Sequence, residues 1–130
     1  MSVFRSCKYP DTSDPTKVGK YYGEAYSGGV CFYDDVLEYR VWVKERSQLR
    51  YHAFASYEDA LRFSRRVGAE EPIVLVKQNS YVEEDEAGHM KHMQKPRIAE
   101  WQVEWLKKAA KGTADKIPDF IAKHHRAVGR

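Results

Sequence analysis

Hydrophobic and polar positions fall into four patterns along this chain. Val36 to Lys44 alternates: Leu37, Tyr39, Val41 and Val43 share one side, and Glu38, Arg40, Trp42 and Lys44 the other. A period of two predicts a half-buried strand. Glu45-Arg46-Ser47-Gln48 is a polar turn with no glycine or asparagine. After it, Leu49 to Ala55 alternates again and predicts a returning strand. Ser56 opens a helical stretch. Its hydroxyl suits a cap, Glu58 and Asp59 suit the positive helix start, and Ala60, Leu61, Phe63, Ser64 and Val67 form the stripe that Gly68 closes. Pro72 then precedes Ile73-Val74-Leu75-Val76, a run without alternation. Such a run predicts a central strand covered on both faces, here with an extension through Lys77 and Gln78 toward Tyr81-Val82. Residues 83–88 read as an acidic hairpin loop.

Residues 97–106 fit two patterns. As a strand, Trp101, Val103 and Trp105 share a face; as a helix, Ile98, Trp101, Trp105, Leu106 and Ala109 do. The regular alternation of Trp and Val favours the strand. A last helix follows, with Asp115 or Thr113 as cap, Pro118 in its first turn, and Ile117, Phe120, Ile121 and His124 as its apolar stripe. The order β-β-α-β-β-α predicts an α+β fold: a small, mostly antiparallel sheet of about four strands with two helices. Residues 5–29 lack apolar periodicity and are rich in Pro, Asp, Ser and Gly. The expected organisation is therefore an N-terminal loop or arm over 1–35 and one α+β domain over 36–130. Four strands with a thin core leave sheet surface over, which a homodimer would cover.

Composition sharpens this. Ile, Leu, Val and Phe make up 26 of 130 residues, near the lower bound for a folded chain, but nine Tyr and three Trp add aromatic packing. The longest aliphatic run, residues 73–76, is far short of the about 20 residues that span a membrane, and the first residues carry no apolar signal stretch. No membrane association and a cytoplasmic location are the expectation. Cys7 and Cys31 are too few for a disulfide framework or a four-thiolate zinc site.

The net charge of +3 hides segregation: residues 46–66 carry +3, residues 67–106 carry −4 and residues 107–130 carry +5. Arg46, Arg50, Arg62, Arg65 and Arg66, with the basic tail, are the residues that would contact nucleic acid. An isoelectric point near 8.8, and acids nearly as numerous as bases, place that reading behind a solvated charged surface. His89 and His92 follow four acids, and His124-His125 adjoin, but neither set gives three ligands on a fixed frame. No nucleophile elbow, CxxC or HExxH motif occurs, and the phosphate-loop pattern fails because Asp14 stands where its first glycine is required. The tyrosine-rich stretch 21–29 can instead act as a binding loop. Tyr22 and Tyr26, with Trp42 and His52 on the adjoining sheet, are the candidate ligand-binding residues. No catalytic residue, metal or cofactor is expected. The leading expectation is a small interaction module that binds a protein partner or a small ligand.

Three segments carry a family resemblance: Phe54-Ala55-Ser56-Tyr57-Glu58-Asp59-Ala60, Glu71-Pro72-Ile73-Val74-Leu75-Val76, and Ile98-Ala99-Glu100-Trp101-Gln102-Val103-Glu104-Trp105-Leu106. Over about residues 36–125 the chain resembles a group of short uncharacterised bacterial proteins, some of which carry a GNAT-type N-acetyltransferase label. That resemblance implies acetyl-CoA as cofactor and an amine as acceptor. A GNAT domain holds the pyrophosphate on a glycine-bearing loop after a strand. Here Asn79-Ser80-Tyr81-Val82-Glu83 follows Gln78, so no catalytic or cofactor residue transfers by position.

Overall fold

The computed structural model describes residue 16, residues 18–19, 24–25 and 32–128. Nine strands and two α-helices lie among them. The strands are β1 (Glu24–Ala25), β2 (Phe32–Tyr33), β3 (Asp35–Glu45), β4 (Gln48–Phe54), β5 (Ile73–Gln78), β6 (Tyr81–Glu84), β7 (Met90–Met93), β8 (Arg97–Gln102) and β9 (Ala110–Lys111). The helices are α1 (Tyr57–Val67) and α2 (Lys116–Val128). The main sheet has the order β1-β8-β5-β3-β4, antiparallel except for the short β1–β8 pair. The α+β class with two helices and a mostly antiparallel sheet is therefore present.

Strands β4 and β5 both run antiparallel to β3, so they run parallel to each other, and α1 bridges them. The helix begins where Ser56 accepts the Asp59 N–H at 3.2 Å and ends at Gly68, whose φ of 70° lies in the left-handed region. Its buried Ala60 and Ser64 face the sheet. Phe63 packs on His52 and Phe54, and Tyr57 on Tyr39. The core lies between α1 and one sheet face, with Tyr39, Val41, Val74, Val76, Ala99 and Trp101 at its centre. The run at Ile73 is the middle strand, and Val74, Leu75 and Val76 are fully buried.

Four expectations change. First, β3 is not half-buried: Val36 through Val41 are all buried, Glu38 and Arg40 included, because the second sheet face is covered there as well. A register shift between Val36 and Glu38 interrupts the alternation. Second, the strand from Ile73 stops at Gln78. Asn79 and Ser80 bend, and Tyr81–Glu84 pairs with Met90–Met93 as a separate hairpin around a shorter loop. Third, residues 97–106 are neither wholly strand nor α-helix. The ladder lasts to Gln102, opposite Ile73, where β5 has no more residues to pair, and a 3-10 turn takes over at Val103–Lys107. Fourth, the Thr113 hydroxyl does not cap α2; it donates to Asp34 at 3.2 Å.

The chain is already part of the body at Phe32 and Tyr33, which are buried and pair with β9. Around them one end of the sheet is closed by polar contacts. Gln78 donates to the Phe32 carbonyl at 2.7 Å and accepts from Arg97 at 2.6 Å, and Gly112 donates to the Tyr33 carbonyl at 2.7 Å. The opposite end is open, and the candidate site lies there.

Candidate interaction site

Strand β3 has eleven residues and β5 has six. The β3–β5 ladder ends at Arg40↔Ile73, whereas the β3–β4 ladder runs on from Val41↔His52 to Glu45↔Gln48. The β3–β4 hairpin thus overhangs the rest of the sheet. Along the overhang, among the described residues, β3 is paired on its β4 side alone. The segment leaving α1 crosses beside this edge on its way down to Ile73.

The result is a groove of about 480 Å³, lined on one wall by Trp42, Val43, Lys44 and Leu49 and on the other by residues 67–71 and Ile73. Leu49 and Val67 are the two large exposed hydrophobic residues among those described, at 66% and 43% exposure, and both lie on this groove. Two further depressions extend it. One lies at the hairpin tip, bounded by Glu45, Arg46, Gln48 and Arg50. The other, about 340 Å³, shares Glu70, Glu71 and Ile73 with the groove and reaches Tyr57 and residues 102–104. The trough is therefore polarised. Lys44 and Arg46 lie toward the hairpin tip, with Glu45 between them held by His52; Trp42, Val43 and Val67 line the middle, and Glu70, Glu71 and Glu104 stand at the other end, while Arg50, across from Val43, lies on the hairpin face opposite Lys44 and Leu49. Among the described residues, Lys44, Arg46, Glu70 and Glu71 have no ion-pair partner; Glu104 is met by Lys107 at 3.3 Å and Arg50 by the Gln48 amide oxygen at 2.8 Å.

The hairpin makes side-chain contacts on both of its faces. Trp42 and Tyr51 pack edge-on at 5.2 Å on one face. On the other, His52 bonds Glu45 at 2.8 Å and packs on Phe63 of α1. Below the overhang lies a buried ionic cluster. Arg40 donates through Nε to Glu38 and through Nη1 to Glu100 at 2.9 Å, while its guanidinium lies 3.9 Å over the Tyr51 ring. Gly19 N–H donates to the second oxygen of Glu38. Arg40 Nη2 is buried without a hydrogen-bond partner. The cluster ties the early chain, β3, β4 and β8 together at the base of the hairpin.

Of the residues expected to bind a ligand, two are described, and these two do not converge. Tyr22 and Tyr26 lie outside the described residues. Trp42 and His52 occupy opposite faces of the hairpin, since Trp42 stands across from Tyr51 and His52 across from Val41. Of these two, Trp42 lines the groove. Of the five arginines proposed for nucleic acid, Arg46 and Arg50 sit at the hairpin end; Arg62, Arg65 and Arg66 sit on the exposed side of α1, with Arg62 held by Asp59 and Arg66 lying 5.4 Å over the Phe63 ring.

Other chemistry-bearing groups were not legible in the sequence. Ser80 and His92 meet at 2.8 Å because the β6–β7 register brings position 92 beside the strand start. Ser80 is buried, and the contact braces the hairpin base. Asp85 shapes the acidic loop: its carboxylate accepts the His89 and Ala87 N–H groups at 2.8 and 3.0 Å, and the His89 bond chiefly holds its pKa below the usual aspartate value. Burial pushes the Tyr33 phenol up. Among the described residues, no three His, Cys, Asp or Glu side chains are placed to hold a metal, and no helix is long and apolar enough to cross a membrane. Comparison of the chain with protein-family models, with curated proteins and with solved structures gave no match.

Proposed function

We propose that this protein is a non-catalytic interaction module, and that the trough at the overhanging hairpin takes an extended polypeptide segment. The observation that carries this reading is the polarity of the trough beside a strand edge paired on one side. Recognition by strand addition draws affinity from backbone hydrogen bonds and specificity from side-chain pockets on alternate positions. Here β3 offers the edge at residues 41–45, and Leu49, Trp42 and Val67 offer the apolar contacts. The charge layout sets direction. The bound segment runs with acidic residues toward Lys44 and Arg46 and basic residues toward Glu70 and Glu71. Electrostatic complementarity of this kind fixes register and partner choice more than affinity.

A ten-residue peptide with acids at one end, alternating Val and Leu in the middle and lysines at the other tests this. Amide chemical-shift mapping should move Val41–Glu45 and residues 67–71. Perturbation confined to other surfaces, or none, would overturn the reading. Acetyl-CoA and a DNA oligonucleotide form parallel arms. Heat on adding acetyl-CoA would favour an acyltransferase of the GNAT type, and salt-sensitive binding of the oligonucleotide through Arg46, Arg50, Arg62, Arg65 and Arg66 would favour nucleic-acid recognition.

A further inference from the structure

We infer that the occupant of this trough is a second copy of the chain, related by a two-fold axis across the β3 edge. This inference rests on the interaction reading above and gives it a partner. An isologous interface brings one patch against itself, so a residue at one end of the patch meets the residue at the other end of its twin. A patch suits that operation when its two ends are complementary and its middle is apolar. The trough has that layout: Lys44 and Arg46 toward the hairpin tip, Trp42, Val43 and Val67 between, Glu70 and Glu71 at the other end.

The two-fold lays the β3 edges antiparallel, with the axis near Val43. Position 41 of one protomer then lies across from position 45 of its partner. The hairpin tip of each extends toward the segment that leads into the other's β5, where Glu70 and Glu71 stand. These four charges, Lys44, Arg46, Glu70 and Glu71, are free of ion pairs among the described residues, so pairing across the axis breaks no ion pair seen there. Leu49, the most exposed large hydrophobic residue described, enters the partner's groove beside Val67. Binding energy concentrates at well-packed, desolvated pockets near the middle of an interface, and the rim excludes water around them. The alternative occupant, a segment of another protein, needs the same chemistry to be supplied by an outside sequence; the chain already carries it in the required order.

Sedimentation equilibrium over a wide concentration range, with circular dichroism as the folding check, tests this. The wild-type chain should be a dimer at high concentration. Leu49→Asp should raise the dimer dissociation constant by at least about tenfold, since it puts a charge at the apolar centre. One charge-swapped chain carries Lys44→Glu and Arg46→Glu; a second carries Glu70→Lys and Glu71→Lys. Each alone should be monomeric, because like charges then meet across the axis. Mixed one to one, they should associate, because both rims are then complementary, one with the native signs and one with the signs exchanged. All the altered side chains are exposed, so the variants fold. A wild-type chain that is monomeric throughout, or a dimer that the three variants leave intact, would overturn the inference. The peptide experiment separates this from the broader reading. A monomeric chain whose residues 41–45 still respond to the peptide keeps the interaction site and loses the two-fold, whereas a chain that neither self-associates nor responds loses both.

Discussion

Removing the Arg40 guanidinium should destabilise this protein more than most single changes. Glu38 is fully buried, and Arg40 is 1% exposed, so Arg40→Met leaves a carboxylate in the interior with Gly19 N–H as its remaining described donor. Breaking a buried pair by deleting one partner costs about 3–5 kcal/mol. Glu100, at 14% exposure, lies near the rim and regains water, so its share is small. The contact over Tyr51 adds up to about 2 kcal/mol, and relief of the orphaned Nη2 returns about 1–3 kcal/mol. The net loss is about 3–4 kcal/mol, a large part of the about 5–15 kcal/mol that holds a domain folded. For a chain of this size the midpoint falls by about 10–15 °C. Urea unfolding followed by tryptophan fluorescence measures it, since Trp101 is buried in the core. The double variant Glu38→Leu with Arg40→Met should recover most of the loss, because an apolar replacement for a buried pair is often neutral or better. A single variant within about 1 kcal/mol of wild type, or a double variant as unstable as the single, would refute the role given to this cluster.

Four further outcomes follow from local chemistry. Arg46 and Ser47 both have positive φ, 52° and 69°, in a two-residue turn of the kind that favours Asn-Gly, so Arg46→Asn with Ser47→Gly should stabilise by about 1–2 kcal/mol in the same urea assay. Ser56→Ala should cost about 1 kcal/mol through loss of the helix cap, and Gly68→Ala a similar amount from backbone conformation alone, since a Cβ there meets nothing within 4 Å. Asp85 has a lowered pKa, so the order it gives the 85–89 loop is complete above the usual aspartate range and is lost as pH falls through the lowered value; exchange rates of the Ala87 and His89 amides against pH read this directly. Tyr33 has a raised pKa through burial, so its contribution is full below the usual tyrosine value of 10.0 and fades as pH rises through the higher one; ultraviolet titration should show one phenol ionising late, and a Tyr33→Phe protein should lack that step.

What could be read from the sequence was local. The Ser56 cap, the apolar stripe of α1 and its Gly68 stop were all encoded within a dozen residues. The run at Ile73 gave a buried strand because four apolar residues in a row demand cover on both sides. The features that shape the site come from pairing between distant segments. Nothing near Glu38 and Arg40 announces burial; it arises because β8 brings Glu100 alongside and the Gly19 segment covers that face. The overhang depends on β5 being shorter than β3, which no window of either strand reveals. Arg46-Ser47 lacks the usual turn signal because the seven-pair β3–β4 ladder imposes the geometry on unfavourable residues. Trp42 and His52 lie near each other along the hairpin, yet positions ten apart across an antiparallel turn fall on faces set by register. His92 found Ser80 for the same reason.

The most direct measurement is hydrogen exchange at the amides of Val41–Glu45, read at high protein concentration and again after strong dilution. Alternate amides along this stretch bond β4 in either condition; the others face the trough. If the trough holds a second copy, the trough-facing amides should exchange slowly at high concentration and much faster when dilute, while those of Val74–Val76 stay slow in both. Equal rates for the trough-facing amides at the two concentrations would contradict the account.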